Sequence, residues 1–156
     1  MLHLIPAPLH RLALRTAYRL RNRLRKATGK ARDGVMVIGK DFEGQVLLVR
    51  HSYGPKEWFF PGGGIASGED PESAARRELR EETGCEIEGL RLVGSVEETI
   101  SGGEHKGYLF EGVVHDMPEP DGREVIEARF FPTHSLPQPL SRITQQRLQM
   151  WQARKS

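Results

Sequence analysis

The chain has 156 residues, a length that suits one domain built around a single hydrophobic core. Its composition, with 37% hydrophobic and 28% charged residues, is typical of a globular protein and excludes a disordered or fibrous one. The single cysteine, Cys85, excludes an internal disulfide and a cysteine-ligated zinc site. No apolar run approaches the roughly 18 residues that span a bilayer, and a secretory signal pattern is missing. We therefore expect a cytoplasmic protein.

The net charge of +2 combines two regions of opposite sign. Residues 1–32 contain nine basic residues and no acidic one, whereas residues 33–156 contain 14 basic and 21 acidic residues, a net charge of −7. In the first region leucines and alanines recur at steps of three and four, with arginines around the rest of the helical wheel. The pattern predicts a basic amphipathic helical extension, residues 1–32, before a domain formed by residues 33–156.

Three roles for this basic extension stay open from the sequence. Its leucine face suits packing on the domain or on a second subunit. Leucines opposite arginines also suit an anionic membrane surface, which would make the protein peripheral to a membrane. The arginines could instead contact the phosphates of a nucleic acid, although aromatic residues for base stacking are scarce there.

The domain begins with a predicted β-hairpin. Residues 34–39 and 45–50 are β-branched runs, and the segment 41–44 between them has turn composition. Residues 58–60 are expected to form a third strand that leads directly into three consecutive glycines, 62–64.

A helix is predicted after the glycines. Asp70 is a suitable N-cap, Pro71 fits the first helical position, and Gly84 ends the segment. A second hairpin (86–100 and 106–116), a strand (125–131) and a closing helix (139–151) follow. Strands before, between and after two helices predict a mixed α/β sandwich rather than a doubly wound parallel sheet.

Three glutamates in the predicted helix need an explanation. Glu78, Glu81 and Glu82 are spaced by three and four residues, so they lie on one helical face and repel each other by a few tenths of a kcal/mol per pair. A cation bound between them would reverse the sign of that interaction. Carboxylate oxygens without nearby histidine or cysteine suit Mg²⁺ or Mn²⁺ rather than zinc.

The glycines before the helix support the same interpretation. Gly62, Gly63 and Gly64 let the backbone approach a ligand closely, and the helix N-terminus beyond them favours phosphate. Together with the glutamates they predict a site for a metal ion and a phosphorylated substrate. The alternative is a solvated charged face whose Arg and Glu side chains form surface ion pairs.

Residues 63–85 resemble the Nudix box, G-x5-E-x7-R-E-U-x-E-E-x-G-U, in which U is an aliphatic residue. Only the last position departs from the pattern, where Cys85 replaces an aliphatic residue; a buried cysteine behaves as a small hydrophobe. The matching residues are Gly63, Glu69, Arg77, Glu78, Leu79, Glu81, Glu82 and Gly84.

The resemblance implies a Nudix-like α/β/α sandwich that hydrolyses a diphosphate bond in a nucleoside diphosphate linked to another group. It implies that Glu78, Glu81 and Glu82 bind Mg²⁺ or Mn²⁺ together with a backbone carbonyl of the glycine loop at Gly62 and Gly63. Arg77 is expected to orient these glutamates and Glu69 to support Arg77. In line attack on phosphorus by an activated water, and a homodimer, are further expectations from the family.

The resemblance leaves the general base open among several glutamates. Glu124, in the loop before the last strand, is the first choice. Glu127, Glu97, Glu98 and Glu82 itself are the alternatives.

The substrate and two other function classes also stay open. A catalytically silent nucleotide sensor could use the same fold, and the basic extension could make the protein a membrane- or nucleic-acid-associated module. Four residues before the glycines could contact a nucleoside or serve ordinary packing: His51, Tyr53, Lys56 and Trp58.

Overall fold

The computed structural model describes residues 6–14, 32–100, 103–120 and 122–155. Within these ranges there are six strands: β1 (Gly34–Lys40), β2 (Val46–His51), β3 (Gly62–Gly64), β4 (Glu88–Ile100), β5 (Gly103–Val113) and β6 (Val125–Phe131). The helices described are α1 (residues 7–14), α2 (Pro71–Thr83) and α3 (Arg142–Ala153).

The described strands form one mixed sheet in the order β4-β5-β1-β2-β6, and β3 pairs with β1 beside this path. β1 and β5 run parallel, while the β1–β2, β1–β3, β2–β6 and β4–β5 pairs are antiparallel. Both predicted hairpins are therefore present, and the mixed sheet is confirmed.

Alternation along the central strands explains why helices cover both faces of the sheet. Val35 and Val37 of β1 belong to the core under α2, where Leu79 is fully buried. Ile38 points to the opposite core, which α3 closes with Trp151. Because successive strand residues face opposite sides, one apolar strand supplies both cores, and each such side chain contributes roughly 2 kcal/mol by burial. The predicted α/β/α sandwich is confirmed.

The strand predicted at residues 58–60 is wrong. Trp58 and Phe59 make only isolated bridges, and the ladder beside β1 forms instead along the glycines of β3. A Cβ atom on Gly62 would lie 2.1 Å from the carbonyl oxygen of Val35, so only glycine can approach β1 this closely. Because the glycines have no side chains, they pair with β1, and the aromatic residues do not.

The helix α2 begins and ends as predicted. The Asp70 side chain accepts a hydrogen bond from the Ser73 N–H at 3.0 Å, and Pro71 occupies the first turn. At the other end Gly84 adopts φ 71°, and its N–H donates to the Arg80 carbonyl at 2.9 Å. These caps fix the position of the glutamates along the helix.

The closing helix starts later than predicted. It begins at Arg142 rather than at residue 139, because the Ser141 hydroxyl caps it by accepting a hydrogen bond from the Thr144 N–H at 3.1 Å.

Arg11 of the N-terminal helix α1 contacts the domain. Nε and Nη2 of Arg11 donate to the Gly122 carbonyl at 2.8 and 2.5 Å. The predicted helix over residues 1–32 lies mostly outside the described residues, so it stays a prediction. Among the residues that the structure describes, no helix is long and apolar enough to cross a membrane.

Candidate active site

The three clustered glutamates of α2 differ in exposure. The Glu82 side chain is 6% exposed and that of Glu78 14%, whereas that of Glu81 is 54% exposed. Leu79, between them in sequence, is fully buried under the sheet. The helix therefore places two carboxylates at the edge of the core and a third one at its solvent-facing rim.

The glycines of β3 make room for the Glu78 carboxylate. A Cβ atom on Gly63 would lie 2.5 Å from the Glu78 carboxyl carbon, closer than any side chain could be tolerated. Because Gly63 has none, a carboxylate and a strand backbone meet where any other residue would keep them apart.

Glu82 is buried with few partners. Its Oε1 lies 3.4 Å from Nε2 of His51, and its Oε2 accepts a hydrogen bond from the Gly62 N–H, also at 3.4 Å. Both contacts are long for hydrogen bonds to a charged group. Burial raises the pKa of Glu82, the contacts with His51 and Gly62 lower it in part, and the negative charge of Glu124 raises it further. This carboxylate is poorly stabilised in its charged form.

Glu78 is also poorly stabilised in its charged form. Burial, with the negative charge of Glu82 as the next cause, raises the pKa of Glu78 to about 7, although Arg77 acts in the opposite direction. Two neighbouring carboxylates whose charged forms are disfavoured indicate a place where a positive charge would be strongly stabilising.

Arg77 connects the helix to the loop before it. Its Nε and Nη2 donate to the two carboxylate oxygens of Glu69 at 2.8 and 2.9 Å, and Nη2 also donates to the Gly64 carbonyl at 3.0 Å. Nη1 reaches Glu78 at 3.0 Å and Glu81 at 3.3 Å. The hydrogen bonds from Arg77 lower the pKa of Glu69 to about 2, and those to Glu69 raise the pKa of Arg77. One guanidinium thus joins four predicted site residues.

The candidates for the general base lie in different surroundings. The charge of Glu124 acts on Glu82, and the backbone carbonyl of Glu124 accepts from the Ser52 N–H at 2.9 Å. Glu127 forms an ion pair with Arg50 on the β2–β6 pair. The two other candidates lie on β4: Glu97 opposite Lys106, and Glu98 paired with Arg147.

The residues around Glu78 fit a divalent cation, although they do not yet enclose one. Among the described residues, no three carboxylate, imidazole or thiol groups are gathered closely enough to hold a metal ion. Repulsion between the carboxylates favours this spacing, since Arg77 beside Glu78 and Glu81, and His51 beside Glu82, offset their charge only in part. The available donors are hard oxygens, which suit Mg²⁺ or Mn²⁺, and the space left by Gly63 admits a carboxylate next to a backbone carbonyl.

A cleft of about 260 Å³ adjoins the glycines of β3. Met36, Phe60, Tyr108 and Ile143 supply apolar walls, and His51 lies at the end nearest Glu82. The four residues before the glycines that could contact a nucleoside lie in different surroundings. His51 lines the cleft, whereas Tyr53 packs on the His51 ring at 5.3 Å, Trp58 is buried in the core and Lys56 is exposed.

Arg147 of α3 is a cleft residue that the sequence reasoning missed. It lies on the same helical stripe as Ile143 and Trp151, at steps of four residues, and its side chain is 3% exposed. An arginine on the apolar face of a helix is the signal that could have found it, because such a residue is rarely buried without a partner.

Comparison with known proteins places this arrangement in context. A family model of the NUDIX domain matches residues 30–152. Diphosphoinositol polyphosphate phosphohydrolase 3-alpha of Mus musculus is 36% identical over 90 residues, which are 58% of this chain and 54% of that protein. An RNA pyrophosphohydrolase of Rhodospirillum rubrum is 47% identical over 53 residues, 34% of this chain and 32% of that protein.

Among solved structures, a MutT NUDIX hydrolase from Burkholderia pseudomallei matches with a TM-score of 0.70 at 24% identity. The match covers 78% of this chain and 98% of that one, which supports the fold. The chain spans about half the length, or less, of the curated relatives named above.

Proposed function

The chain belongs to the Nudix family, as its sequence predicts, and we propose that it hydrolyses a pyrophosphate bond in a nucleoside diphosphate linked to another group. One observation carries this proposal: Glu78 and Glu82 are buried beside the glycines of β3, and each has a raised pKa. A structural helix gains nothing from such a pair, whereas a site for a cation and phosphates requires it.

Four groups would hold Mg²⁺ or Mn²⁺: the carboxylates of Glu78, Glu81 and Glu82 and the backbone carbonyl of Gly63. When bound, a divalent ion supplies positive charge to phosphate oxygens and lowers the pKa of a bound water. Glu81 is 54% exposed and its contacts with Arg77 Nη1, at 3.3 and 3.4 Å, are long, so its side chain can turn toward the site.

Arg77 and Glu69 would hold the carboxylates of α2 in position relative to the glycines of β3. Because Arg77 contacts Glu69, Gly64 and Glu78 at once, it fixes the helix relative to the glycines of β3. Oε1 of Glu69 accepts a hydrogen bond from the Ala66 N–H at 3.0 Å, which fixes the conformation of the loop before the helix. These contacts orient the carboxylates before any ligand arrives.

Glu124 is proposed as the general base that removes a proton from the attacking water. Together with burial, its negative charge raises the pKa of Glu82, which places Glu124 near the carboxylates of α2. Glu127 is instead paired with Arg50, and Glu98 with Arg147. Gly62, Gly63 and Gly64 would receive the phosphates, since their backbone can approach a ligand closely.

The proposed substrate class is nucleotides. The relatives are named for diphosphoinositol polyphosphates and for RNA, and the bond they share is a phosphoric anhydride. The bond cleaved by this chain is therefore proposed to be a phosphoric anhydride, and the organic group bound depends on the cleft.

A substrate panel tests the proposal. Purified full chain is incubated with nucleoside triphosphates, dinucleoside polyphosphates, ADP-ribose, nucleotide sugars and capped RNA, with Mg²⁺, Mn²⁺ or EDTA. Glu81→Gln is compared with Glu72→Gln, an exposed glutamate of the same helix that pairs with Arg76.

We expect divalent-dependent release of a nucleoside monophosphate that falls at least about a hundredfold in Glu81→Gln and persists in Glu72→Gln. Equal activity in the two variants, or activity in EDTA, would contradict the proposal. No turnover of any substrate, with nucleotide binding intact, would favour a sensor.

A further inference from the structure

Arg32 lies where the basic extension joins the domain, beside the glycines of β3. It is the last basic residue of the extension, and it lines the cleft. Its carbonyl accepts a hydrogen bond from Nδ1 of His105, a residue of β5. In the next residue, the Asp33 carbonyl accepts from the Ile65 N–H at 2.9 Å, and the Asp33 carboxylate accepts from the Lys106 N–H at 3.0 Å. The backbone at Arg32 is therefore fixed between β5 and the end of β3.

The guanidinium of Arg32 is close to the loop that follows β3. In that loop, hydrogen bonds from Arg77 are the main cause of the low pKa of Glu69, and the positive charge of Arg32 contributes to it. Electrostatic effects between exposed groups fade over about 10 Å, so the two side chains are neighbours. Arg77 links Glu69 to the Gly64 carbonyl, which places the charge of Arg32 beside the last glycine of β3.

Arg32 differs from the other two arginines near the glycines in its lack of a carboxylate partner within the described part of the chain. Arg147 donates to Glu98, and its side chain is only 3% exposed. Arg77 is paired with the carboxylates around it, Glu69 first among them. Arg32 is exposed, and no described carboxylate forms an ion pair with it. Such a guanidinium can bind an anion without losing an existing partner.

The space beside Gly64 is open to an anionic group. Apart from its chain neighbours, no described atom lies within 4 Å of a Cβ atom built on Gly64, whereas one on Gly63 would collide with the Glu78 carboxylate. The proposed cation serves the Gly63 end of β3, where the carboxylates of α2 would otherwise repel a phosphate. At Gly64 the positive charge has to come from the protein, and Arg32 is placed to supply it.

Resting on the proposed function, we infer that Arg32 binds a phosphate of the substrate directly, in the open space beside Gly64. A guanidinium pairs with phosphate oxygens through charge-assisted hydrogen bonds, which are stronger than neutral ones. The last basic residue of the extension thus belongs to the substrate site and not to a membrane or nucleic-acid surface. Arg32 contributes substrate affinity, whereas the proposed cation and general base carry the chemical step.

Isothermal titration calorimetry with inorganic pyrophosphate and Mg²⁺ tests this inference, because the probe has phosphates and no organic group. The unchanged full chain is compared with Arg32→Gln, Arg32→Lys and Arg154→Gln. Arg154 is an exposed arginine that contacts the Leu92 carbonyl, so the last variant loses the same charge outside the cleft.

We expect the Kd for pyrophosphate to rise about tenfold or more in Arg32→Gln and by less than about threefold in Arg32→Lys, which keeps the charge. The Kd should stay unchanged in Arg154→Gln. Equal Kd values in all four proteins, an equal rise in Arg154→Gln and Arg32→Gln, or no binding to the unchanged chain would each overturn the inference.

Steady-state kinetics separate affinity from the chemical step. With a substrate that the full chain turns over, Arg32→Gln should raise KM about tenfold and leave kcat within about threefold. A fall in kcat with KM unchanged would overturn the inference. Pyrophosphate binding that depends on Arg32, without turnover of any substrate, would keep the inference and remove the hydrolase proposal. Turnover with pyrophosphate binding independent of Arg32 would do the reverse.

Discussion

Two glutamates are buried to nearly the same extent but differ in the hydrogen-bond donors and positive charges around them. Glu82 is 5% exposed and Glu111 is 4% exposed. Glu111 of β5 accepts a hydrogen bond from Arg91 Nε at 2.6 Å and another from the Trp151 indole, and the ammonium of Lys40 lies 3.7 Å away. Within the described part of the chain, Glu82 has two polar contacts, from His51 and Gly62, each at 3.4 Å.

The pKa values of these two carboxyls shift in opposite directions. Burial on its own would raise the pKa of Glu111, yet the hydrogen bonds from Trp151 and Arg91 and the charge of Lys40 together lower it. Burial raises the pKa of Glu82, and its few partners do not reverse the shift. A buried carboxylate with enough donors belongs to the structure, whereas one left short of donors is prepared for a ligand.

The largest expected effect comes from Glu82→Gln. Removing this carboxylate should lower divalent-dependent turnover at least about a hundredfold, because a proposed ligand to the cation is lost. The free energy of unfolding at pH 8 without metal should stay the same or rise, since a poorly stabilised buried charge is removed. Turnover assays and urea unfolding measure the two quantities. A variant that is inactive because it has unfolded would break the comparison.

Glu111→Gln should give the converse result. The change weakens the hydrogen bonds that Glu111 accepts from Arg91 and the Trp151 indole; because Arg91 stays 73% exposed to solvent, we expect a loss of roughly 2 kcal/mol in the free energy of unfolding. Turnover per folded molecule should remain within about twofold of that of the unchanged chain. A large fall in kcat with stability intact would assign Glu111 to the chemistry instead.

Much of this arrangement follows from local sequence, because local spacing determines caps and helical faces. Asp70, Pro71 and Gly84 fix the ends of α2, and steps of three and four residues place Glu78, Glu81 and Glu82 together. The β-branched runs at residues 34–39 and 45–50 predict the first two strands in the same way. These features depend on neighbours within a few residues.

What the sequence could not provide are contacts between distant segments. His51 meets Glu82 across 31 residues and Arg147 meets Glu98 across 49, and no local pattern encodes either pair. The strand expected at residues 58–60 failed for a related reason. Its aromatic residues favour a strand locally, but the close approach to β1 is available only to glycine.

The pH dependence of the free energy of unfolding tests whether Glu78, like Glu82, is poorly stabilised in its charged form. Its pKa is about 7 in the folded chain against 4.5 as the ordinary value, so the folded state binds this proton more tightly. The stabilisation is fully present below pH 4.5 and is lost as the pH rises toward 7, by roughly 3 kcal/mol without metal. Denaturant unfolding in EDTA at several pH values should show this fall in the unchanged chain and a smaller one in Glu78→Gln. Parallel curves for the two proteins would mean that Glu78 is ionised as in water.

The smallest expected effect is that of Arg77→Lys. Lysine keeps the charge but cannot hold Glu69, Gly64 and Glu78 at the same time, so the carboxylates lose orientation. We expect kcat/KM to fall by about tenfold. Arg80→Lys, also in α2, alters an exposed pair with Glu86 beyond the end of the helix; it serves as the control and should have little effect. Equal losses in both variants would indicate a general effect on the helix.

Direct titration with Mn²⁺, followed by electron paramagnetic resonance of the free ion, tests the central claim that the carboxylates of α2 form a cation site. The measurement compares the unchanged chain with Glu82→Gln and Glu111→Gln at a pH near 8. We predict saturable binding in the unchanged chain and in Glu111→Gln, and binding at least about tenfold weaker in Glu82→Gln. Equal Mn²⁺ affinity in all three proteins would contradict the account, because the poorly stabilised carboxylate would then have no part in holding the ion.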